Sequence, residues 1–200
     1  AAGEFKTKPT QHSVKQLQEA GIQPDILVLR TEQALQKDIL AKVAQFCNVA
    51  PDAVIQSIDM PTIYEIPLLL RDQKMDEAVL RKVGIEPGPC PEMKAWCAFV
   101  EKLKSAHEEV SIALVGKYVE LQDAYKSIDE SLLQSCTYND KKLRLTSIQS
   151  EHITEENVAE LLSGFDGVLI APGFGQRGVE GKLVALKYTR EKGIPTLGIC

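Results

Sequence analysis

The chain has 200 residues, of which 44% are hydrophobic and 26% charged, and its formal net charge is −5 at pH 7. This composition is typical of one large or two small globular domains, and it excludes a general nucleic-acid binder, which needs a basic surface to neutralise phosphates. No apolar run approaches the ~20 residues of a membrane span, and no signal peptide is recognisable. We therefore predict a cytoplasmic protein with no membrane or nucleic-acid partner.

The cysteines predict neither a disulfide framework nor a metal site. They are odd in number, widely spaced and free of CxxC spacing: Cys47, Cys90, Cys97, Cys136 and Cys200. The sequence lacks an initiator Met and stops after a strand-like run, so we expect an excerpt of a longer chain. We also expect the excerpt alone to be poorly soluble, because a half-built sheet leaves an unpaired edge.

The first part of the chain, residues 1–83, alternates helical and strand-like patterns. Hydrophobic spacing predicts helices over 13–20, 32–46, 62–70 and 76–83, and strands over 26–29 and 53–55. These elements suit the second half of a larger α/β domain.

Residues 84–109 are predicted to be an interdomain linker. They open with GIEPGPCPE, which is rich in proline and glycine, and contain one helical stretch over 93–105. A new α/β unit follows over 110–200, with strands predicted over 110–115, 142–147, 168–171 and 195–199 and helices over 123–135, 155–162 and 181–192. Such alternation predicts a mostly parallel sheet that places ligands at the carboxyl ends of its strands.

Three motifs carry chemistry. The first, KTKPTQ, comprises Lys6, Thr7, Lys8, Pro9, Thr10 and Gln11. Its two lysines, its hydroxyl groups and the start of a helix suit a triphosphate. A solvated basic loop in which Thr10 or Ser13 caps the helix explains the same residues, and the motif alone favours that interpretation.

The second motif is the glycine-rich loop 171–178, which follows a predicted strand. Its backbone N–H groups suit an oxyanion or a phosphate, but a tight turn explains it equally well. The third is Cys200, at the end of IPTLGIC. A cysteine on a sharp strand-to-helix turn is a possible nucleophile, although a cysteine that ends a buried strand more often packs in the core.

These motifs also resemble a known family over essentially the whole chain. GEFKTKPTQHSVKQLQEAGIQPDILVLR resembles the UTP- and CTP-binding stretch of the CTP synthases, and VGKYVELQDAYKSIDESL resembles the opening of their glutaminase domain. PGFGQRGVEG followed by IPTLGIC resembles their oxyanion loop and nucleophile strand. The implied α/β fold is the C-terminal part of a P-loop-type amidoligase domain, then the linker, then the first half of a triad-type glutamine amidotransferase domain.

The resemblance implies ATP-dependent amination of UTP to CTP by a homotetramer, with ammonia from glutamine hydrolysis, activation by GTP and inhibition by CTP. The Mg²⁺ ligands and the triad His and Glu would lie outside this segment, which alone should be inactive. Two alternatives stay open: another triad glutamine amidotransferase with a different ammonia acceptor, and a non-catalytic assembly or regulatory segment.

The resemblance also implies residue roles. Cys200 would be the nucleophile and Gly173 an oxyanion donor, although the family commonly has two glycines before Phe174 where this chain has Pro172-Gly173. UTP and CTP would contact Lys6, Thr7, Lys8, Pro9, Thr10, Gln11 and Lys42. ATP would contact Ile58, Asp59 and Met60, and the GTP-linked lid would contain Arg177, Gly178 and Glu180.

Overall fold

The computed structural model describes residues 5–121 and 123–200. The chain divides into two compact units, one ending at Cys97 and the other running Ala98–Cys200. This division falls inside the predicted linker, and the exact domain boundaries stay a prediction. Within the described residues, no helix combines the length and the apolar character that a bilayer crossing demands.

The first unit is built around two parallel strands. Its elements are α1 Lys8–Glu19, β1 Leu27–Thr31, α2 Lys37–Cys47, β2 Val54–Ile58, α3 Ile66–Asp72 and α4 Met75–Lys82. Short 3-10 turns cover Pro51–Ala53 and Ile63–Glu65, and the helix α5 Lys94–Ser105 contains the division between the units. Leu27 lies opposite Val54, and the register continues to Thr31 opposite Ile58.

The core of the first unit lies between α1, α2 and the two strands. Its buried residues are Val14, Val43, Ala44, Cys47 and Val54. Three of them come from one face of α2, as the helical spacing of apolar residues requires. On β2, the side chain of Gln73 donates to the carbonyl of Gln56 and accepts from its N–H, each at 2.8 Å. That amide therefore satisfies backbone groups of the strand.

The second unit is a four-stranded parallel sheet in the order β4-β3-β5-β6. Its strands are β3 Glu109–Gly116, β4 Lys142–Gln149, β5 Gly167–Ile170 and β6 Thr196–Gly198, and its helices are α6 Lys126–Tyr138, α7 Val158–Leu162 and α8 Val179–Lys192. The predicted α/β class and parallel sheet are confirmed. All four strands end at the same edge of the sheet, whereas β6 itself is exposed along its length.

The sheet is covered on both faces, as parallel sheets require. Alternate residues of β3 point to opposite sides: Ala113 and Val115 pack with α7 and α8, while Leu114 packs with Tyr125 and α6. Asp166, at the entry to β5, ties that strand to β3 by accepting from the N–H and the hydroxyl of Ser111 at 2.8 and 2.6 Å.

Several predicted boundaries shift. Helix α1 begins at Lys8, five residues before the predicted start, so Thr10 and Ser13 lie inside it and neither is its cap. The N-cap is Thr7, and the last four of the six KTKPTQ residues form the first turn of the helix. Helix α2 begins at Lys37 rather than at residue 32, because the preceding segment is held instead by the Leu35 N–H donating to Gln56 Oε1 at 2.6 Å.

Gly181 fixes how α8 packs against the 3-10 turn Ser150–His152. A Cβ atom at this buried position would lie 1.7 Å from the carbonyl oxygen of Ser150 and 2.9 Å from its carbonyl carbon. Backbone is therefore in direct contact with backbone, and only glycine fits without displacing the helix or the turn.

We expect Gly181→Ala to lower the free energy of unfolding by about 1–3 kcal/mol or more, because the added methyl overpacks this contact. Gly164→Ala is the matched control, since a Cβ there meets nothing within 4 Å. Urea unfolding of the intact protein, followed by circular dichroism, measures both. An unchanged midpoint for Gly181→Ala would show that helix α8 can move away from the turn at no cost.

The contact between Asp166 and Ser111 makes stability depend on pH. The Ser111 hydroxyl, and then its backbone N–H, lower the pKa of the Asp166 carboxyl. The unfolded pKa of an Asp carboxyl is ~3.9 and the folded pKa is lower, so the ionised carboxyl stabilises the fold fully above ~3.9. This contribution is lost as the pH falls through the folded pKa.

We expect the Asp166→Asn variant to lose less stability than wild type when the pH is lowered from about 5 to about 3, because it lacks this carboxyl. The urea midpoint of each protein at the two pH values measures the loss. Glu160→Gln on α7 is the control for the change in net charge.

Candidate functional sites

The first candidate site is a cleft of about 480 Å³ at the carboxyl end of β1. From the KTKPTQ segment it is lined by Lys6, Thr7, Pro9 and Thr10, and from β1, α2 and the residues before α2 by Leu29, Arg30, Thr31, Leu35, Ile39 and Val43. Four of the six motif residues therefore come together at one cleft. Lys8 and Gln11 do not line it, but the Gln11 amide donates to Thr7 Oγ1 at 3.1 Å and holds that residue in place.

The chemistry of this cleft suits an anion. It lies at the start of the twelve-residue helix α1, where backbone N–H groups lack intrahelical acceptors. The exposed cations Lys6 and Arg30 add positive charge. The hydroxyl oxygen of Thr31 is shielded from solvent and has no hydrogen-bond partner among the described residues. A phosphate-bearing ligand would find both charge and free hydrogen-bonding groups here.

Lys42 does not reach this cleft. It is exposed on α2, next to the buried Val43, and it is absent from the described residues that line the cleft. Its predicted contact with a nucleotide stays a prediction.

A second cleft, of about 540 Å³, lies at the carboxyl end of β2. Its lining contains all three residues predicted to contact ATP, Ile58, Asp59 and Met60, together with Arg30, Ser57, Thr62, Ile63 and Ile66. The Asp59 N–H donates to the Thr31 carbonyl at 2.9 Å, and Arg30 Nε lies 3.5 Å from Asp59 Oδ1. Arg30 therefore lines both clefts.

The second unit brings the glycine-rich loop next to Cys200. The loop follows β5 and Cys200 follows β6, and these strands are neighbours, with Ile170 opposite Gly198. The Ile199 N–H also donates to the Ile170 carbonyl at 3.1 Å. Cys200 is exposed and has φ +79°, a left-handed conformation that is uncommon outside glycine. In a nucleophile elbow, a strained backbone of this kind presents the side chain to solvent.

Side chains from three elements hold the carbonyl groups of this loop. The donors are Lys182 Nζ to the Ala171 carbonyl at 2.7 Å, Tyr125 Oη to the Pro172 carbonyl at 3.3 Å, and Lys117 Nζ to the Phe174 carbonyl. The loop is therefore fixed by side chains rather than by a regular backbone ladder.

The absence of a side chain at Gly173 makes room for the side chain of Lys117. A Cβ atom at Gly173 would lie 2.7 Å from Cε of Lys117, whose side chain is almost fully buried. The buried stem of Lys117 thus runs directly against the Gly173 backbone.

Lys182 lies close enough to Cys200 for their charges to interact. Burial lowers the pKa of Lys182, and the charge of Lys117 lowers it further, whereas Cys200 and Tyr118 act in the opposite direction. These groups influence one another only because they share one small region. Negative charge that develops at Cys200 would therefore be attracted by the ammonium group of Lys182.

The predicted lid residues lie at the start of α8. Arg177 donates to Glu151 Oε1 at 2.6 Å and to the Lys117 carbonyl at 3.2 Å, and its guanidinium lies 5.4 Å from the centroid of the Tyr118 ring. Gly178 is the N-cap of α8, with φ +75°, and Glu180 is exposed in the first turn. The segment is therefore attached to the residues that follow β3 and β4.

Sequence reasoning missed several of these residues: Arg30, Lys117, Tyr125, Glu151 and Lys182. Arg30, Lys117 and Glu151 lie at or just past the carboxyl ends of predicted strands, and that position was the available signal. Tyr125 and Lys182 lie in helical segments, and nothing in their spacing distinguishes them. As for metals, no cluster of three or more His, Cys, Asp or Glu side chains among residues 5–121 and 123–200 could hold an ion.

Comparisons with known proteins agree with this geometry. Residues 1–85 match the family profile described as CTP synthase N-terminus, and residues 120–200 match that of class-I glutamine amidotransferases. The CTP synthase of Porphyromonas gingivalis is 72% identical over all 200 residues, which cover 37% of that protein. Those of Bacteroides fragilis and Flavobacterium johnsoniae are 60% and 53% identical over the whole chain, which covers 38% and 37% of them.

One solved structure also matches in part. It is described as the Trypanosoma brucei CTPS glutaminase domain with bound acivicin, and it shares 33% identity over 44% of this chain and 35% of its own length, with a TM-score of 0.41. At that score, the fold assignment depends on the observed strands and the family profiles.

The chain spans little more than a third of the length of the curated relatives that it matches. Two successive family profiles and 72% identity along its full length establish that it belongs to the CTP synthase family.

Proposed function

We propose that the intact protein converts UTP to CTP, using ATP and ammonia released from glutamine. One observation carries this proposal: the glycine-rich loop and Cys200 meet at the carboxyl ends of adjacent strands, in a chain whose other unit holds KTKPTQ at an anion-suited cleft. A glutaminase and a nucleotide site in one chain suit an enzyme that transfers glutamine nitrogen to a nucleotide.

In the glutaminase step, the Cys200 sulfur attacks the side-chain amide carbon of glutamine. The carbonyl oxygen becomes an oxyanion, and the N–H of Gly173 donates to it. Collapse of this intermediate releases ammonia and leaves a thioester, which water hydrolyses to glutamate. The base that removes the thiol proton and protonates the leaving nitrogen is the triad His, which the family resemblance places beyond Cys200.

In the first unit, the cleft at α1 would bind the triphosphate of UTP. Lys6 and the N–H groups of the first helical turn supply charge and hydrogen bonds, and they bind the nucleotide without taking part in bond formation. Thr7, Pro9 and Thr10 line the same cleft, and Lys8, Gln11 and Lys42 complete the proposed set. CTP would inhibit by occupying the same triphosphate site.

The neighbouring cleft would hold the adenine of ATP against Ile58, Asp59 and Met60. ATP phosphorylates the uracil 4-oxygen, and ammonia then displaces phosphate at that carbon. The family resemblance places the carboxylates that would hold the accompanying Mg²⁺ outside this segment.

Regulation and assembly complete the proposal. GTP would activate the glutaminase through the segment that contains Arg177, Gly178 and Glu180. The contacts of Arg177 with Glu151 and with the Lys117 carbonyl support this role, because they join the segment to the residues around the nucleophile. We further propose a cytoplasmic homotetramer.

We expect Cys200→Ala in the intact enzyme to lower glutamine-dependent CTP formation by at least about a thousandfold, because the nucleophile is lost. Synthesis from ammonium chloride should stay within about twofold of wild type, since ammonia bypasses the glutaminase. Both rates are read as CTP formed from UTP and ATP. Cys90→Ala, at another exposed cysteine, is the matched control and should leave both rates unchanged.

The same assay separates the alternatives. Glutamine-dependent synthesis by Cys200→Ala would show that this cysteine is structural. If the wild-type protein hydrolyses glutamine but forms no CTP with either nitrogen source, another amidotransferase with a different acceptor is favoured.

We expect Lys6→Ala to raise the KM for UTP about tenfold or more, because hydrogen bonds to charged groups contribute ~1.5–3 kcal/mol. The CTP concentration that inhibits by half should rise in parallel, while glutamine hydrolysis stays unchanged. Lys15→Ala, an exposed lysine on α1 paired with Glu19, is the control for the loss of one positive charge. Equal KM values for both variants would remove Lys6 from the UTP site.

A further inference from the structure

The hydroxyl group of Tyr125 joins two loops at the carboxyl edge of the sheet. It accepts hydrogen bonds from the N–H groups of Lys117 and Tyr118 at 3.1 and 3.3 Å, and it donates to the Pro172 carbonyl at 3.3 Å. A neutral phenol has one proton to donate and can accept two hydrogen bonds. Every hydrogen-bonding position of this hydroxyl is therefore used within the described residues, where its acceptor is the Pro172 carbonyl.

The ring of Tyr125 is held as firmly as its hydroxyl. It is 7% exposed and packs in the cluster formed with Leu114, Leu169 and Ala171 on the α6 side of the sheet. Gly116 lets the ring pass close to β3, since a Cβ atom there would lie 2.7 Å from the ring. The position of the hydroxyl is thus set by the core and not by the loop that it holds.

Holding the Pro172 carbonyl also orients the next N–H group. The chain contains no cis peptide bond among its described residues, and in a planar trans peptide the N–H points opposite to the C=O. Because the Pro172 carbonyl faces Tyr125, the Gly173 N–H points away from Tyr125. In residues 5–121 and 123–200 this N–H has no hydrogen-bond acceptor, so it is free to donate to a ligand.

The carbonyl before this peptide and the second carbonyl after it are anchored separately. Lys182 holds the Ala171 carbonyl, and Lys117 holds the Phe174 carbonyl. Glycine tolerates either orientation of its peptide groups, so the Pro172–Gly173 peptide can rotate between these fixed neighbours if the hydroxyl of Tyr125 is removed. Within the described residues, that hydroxyl is the group that holds the peptide in the orientation in which the N–H would face a ligand.

We propose that Tyr125 is a positioning residue of the glutaminase site, which acts by fixing the Gly173 N–H as the oxyanion donor beside Cys200. The inference rests on the proposed glutaminase function and adds a residue to it. Tyr125 touches neither glutamine nor the thiol in this scheme. Its effect is confined to the step in which the oxyanion forms.

The test uses Tyr125→Phe in the intact enzyme, with Tyr138→Phe as the matched control because Tyr138 is 80% exposed. We expect the glutamine-dependent kcat of Tyr125→Phe to fall about tenfold to a hundredfold, less than the ~10²–10³ that follows removal of an oxyanion donor, because the N–H is freed to rotate and not deleted. The KM for glutamine should change by less than about threefold, and ammonia-dependent CTP synthesis should equal wild type. Tyr138→Phe should match wild type in all three.

A second readout isolates the oxyanion. L-Glutamate γ-semialdehyde adds the Cys200 sulfur to its carbonyl carbon, and the thiol proton passes to the oxygen, so its hemithioacetal carries an oxygen where the oxyanion forms. For Tyr125→Phe, the inhibition constant of the semialdehyde should rise by about the factor by which kcat/KM falls. Alkylation of Cys200 by iodoacetamide forms no oxyanion, so its rate should stay unchanged. If the variant is less stable, the fraction of protein that is alkylated at Cys200 also measures the fraction of folded sites.

Each outcome is decisive. A wild-type kcat with glutamine, or an unchanged semialdehyde inhibition constant, would overturn the inference while the effect of Cys200→Ala leaves the glutaminase assignment standing. Equal losses of alkylation rate, ammonia-dependent synthesis and glutamine-dependent synthesis per folded site would show that Tyr125 only supports the fold, and would also overturn it.

Discussion

The parallel hydrogen-bond ladder of the second unit is the constraint on which its site depends. Because β4, β3, β5 and β6 all run in the same direction, the segments that follow them meet at one edge of the sheet. That edge receives Lys117 from β3, Glu151 from β4, the glycine-rich loop from β5 and Cys200 from β6. An antiparallel arrangement of the same strands would have sent half of these residues to the opposite edge.

Convergence at one edge crowds backbone groups that have lost their ladder partners, and buried polar groups must be paired. The chain meets this need with side chains: Lys182, Tyr125 and Lys117 each take one carbonyl of the loop. Glycines at 116, 173 and 181 provide the close approaches that these contacts and the neighbouring turn require. The same groups that satisfy the loop leave the Gly173 N–H unpaired, so stability and a free donor arise from one arrangement.

Much of the fold and of the candidate site in the second unit could be predicted from sequence, for physical reasons. Apolar runs such as 110–115 and 168–171 identified the strands, and their alternation with helices predicted that the strands are parallel. The position of Cys200 after such a run then placed it at the carboxyl edge of the sheet. Helix starts were less predictable, because KTKPTQ reads both as a loop and as a first turn, and the structure makes it part of each. The role of Tyr125 was inaccessible, because it depends on contacts with residues eight and 47 positions away, which no local pattern encodes.

Two lysines of this chain occupy opposite environments, and burial decides what each can contact. Lys6 is exposed at the cleft of the first unit, so its ammonium group is available to a ligand and its attraction is weakened by salt. Lys117 is 4% exposed and donates to a backbone carbonyl. A buried ammonium is costly unless it is hydrogen-bonded, so that bond is a condition of its burial. A motif search that counts lysines treats the two alike, whereas the structure leaves the ammonium group of Lys6 accessible to a ligand and uses that of Lys117 to hold the glycine-rich loop in shape.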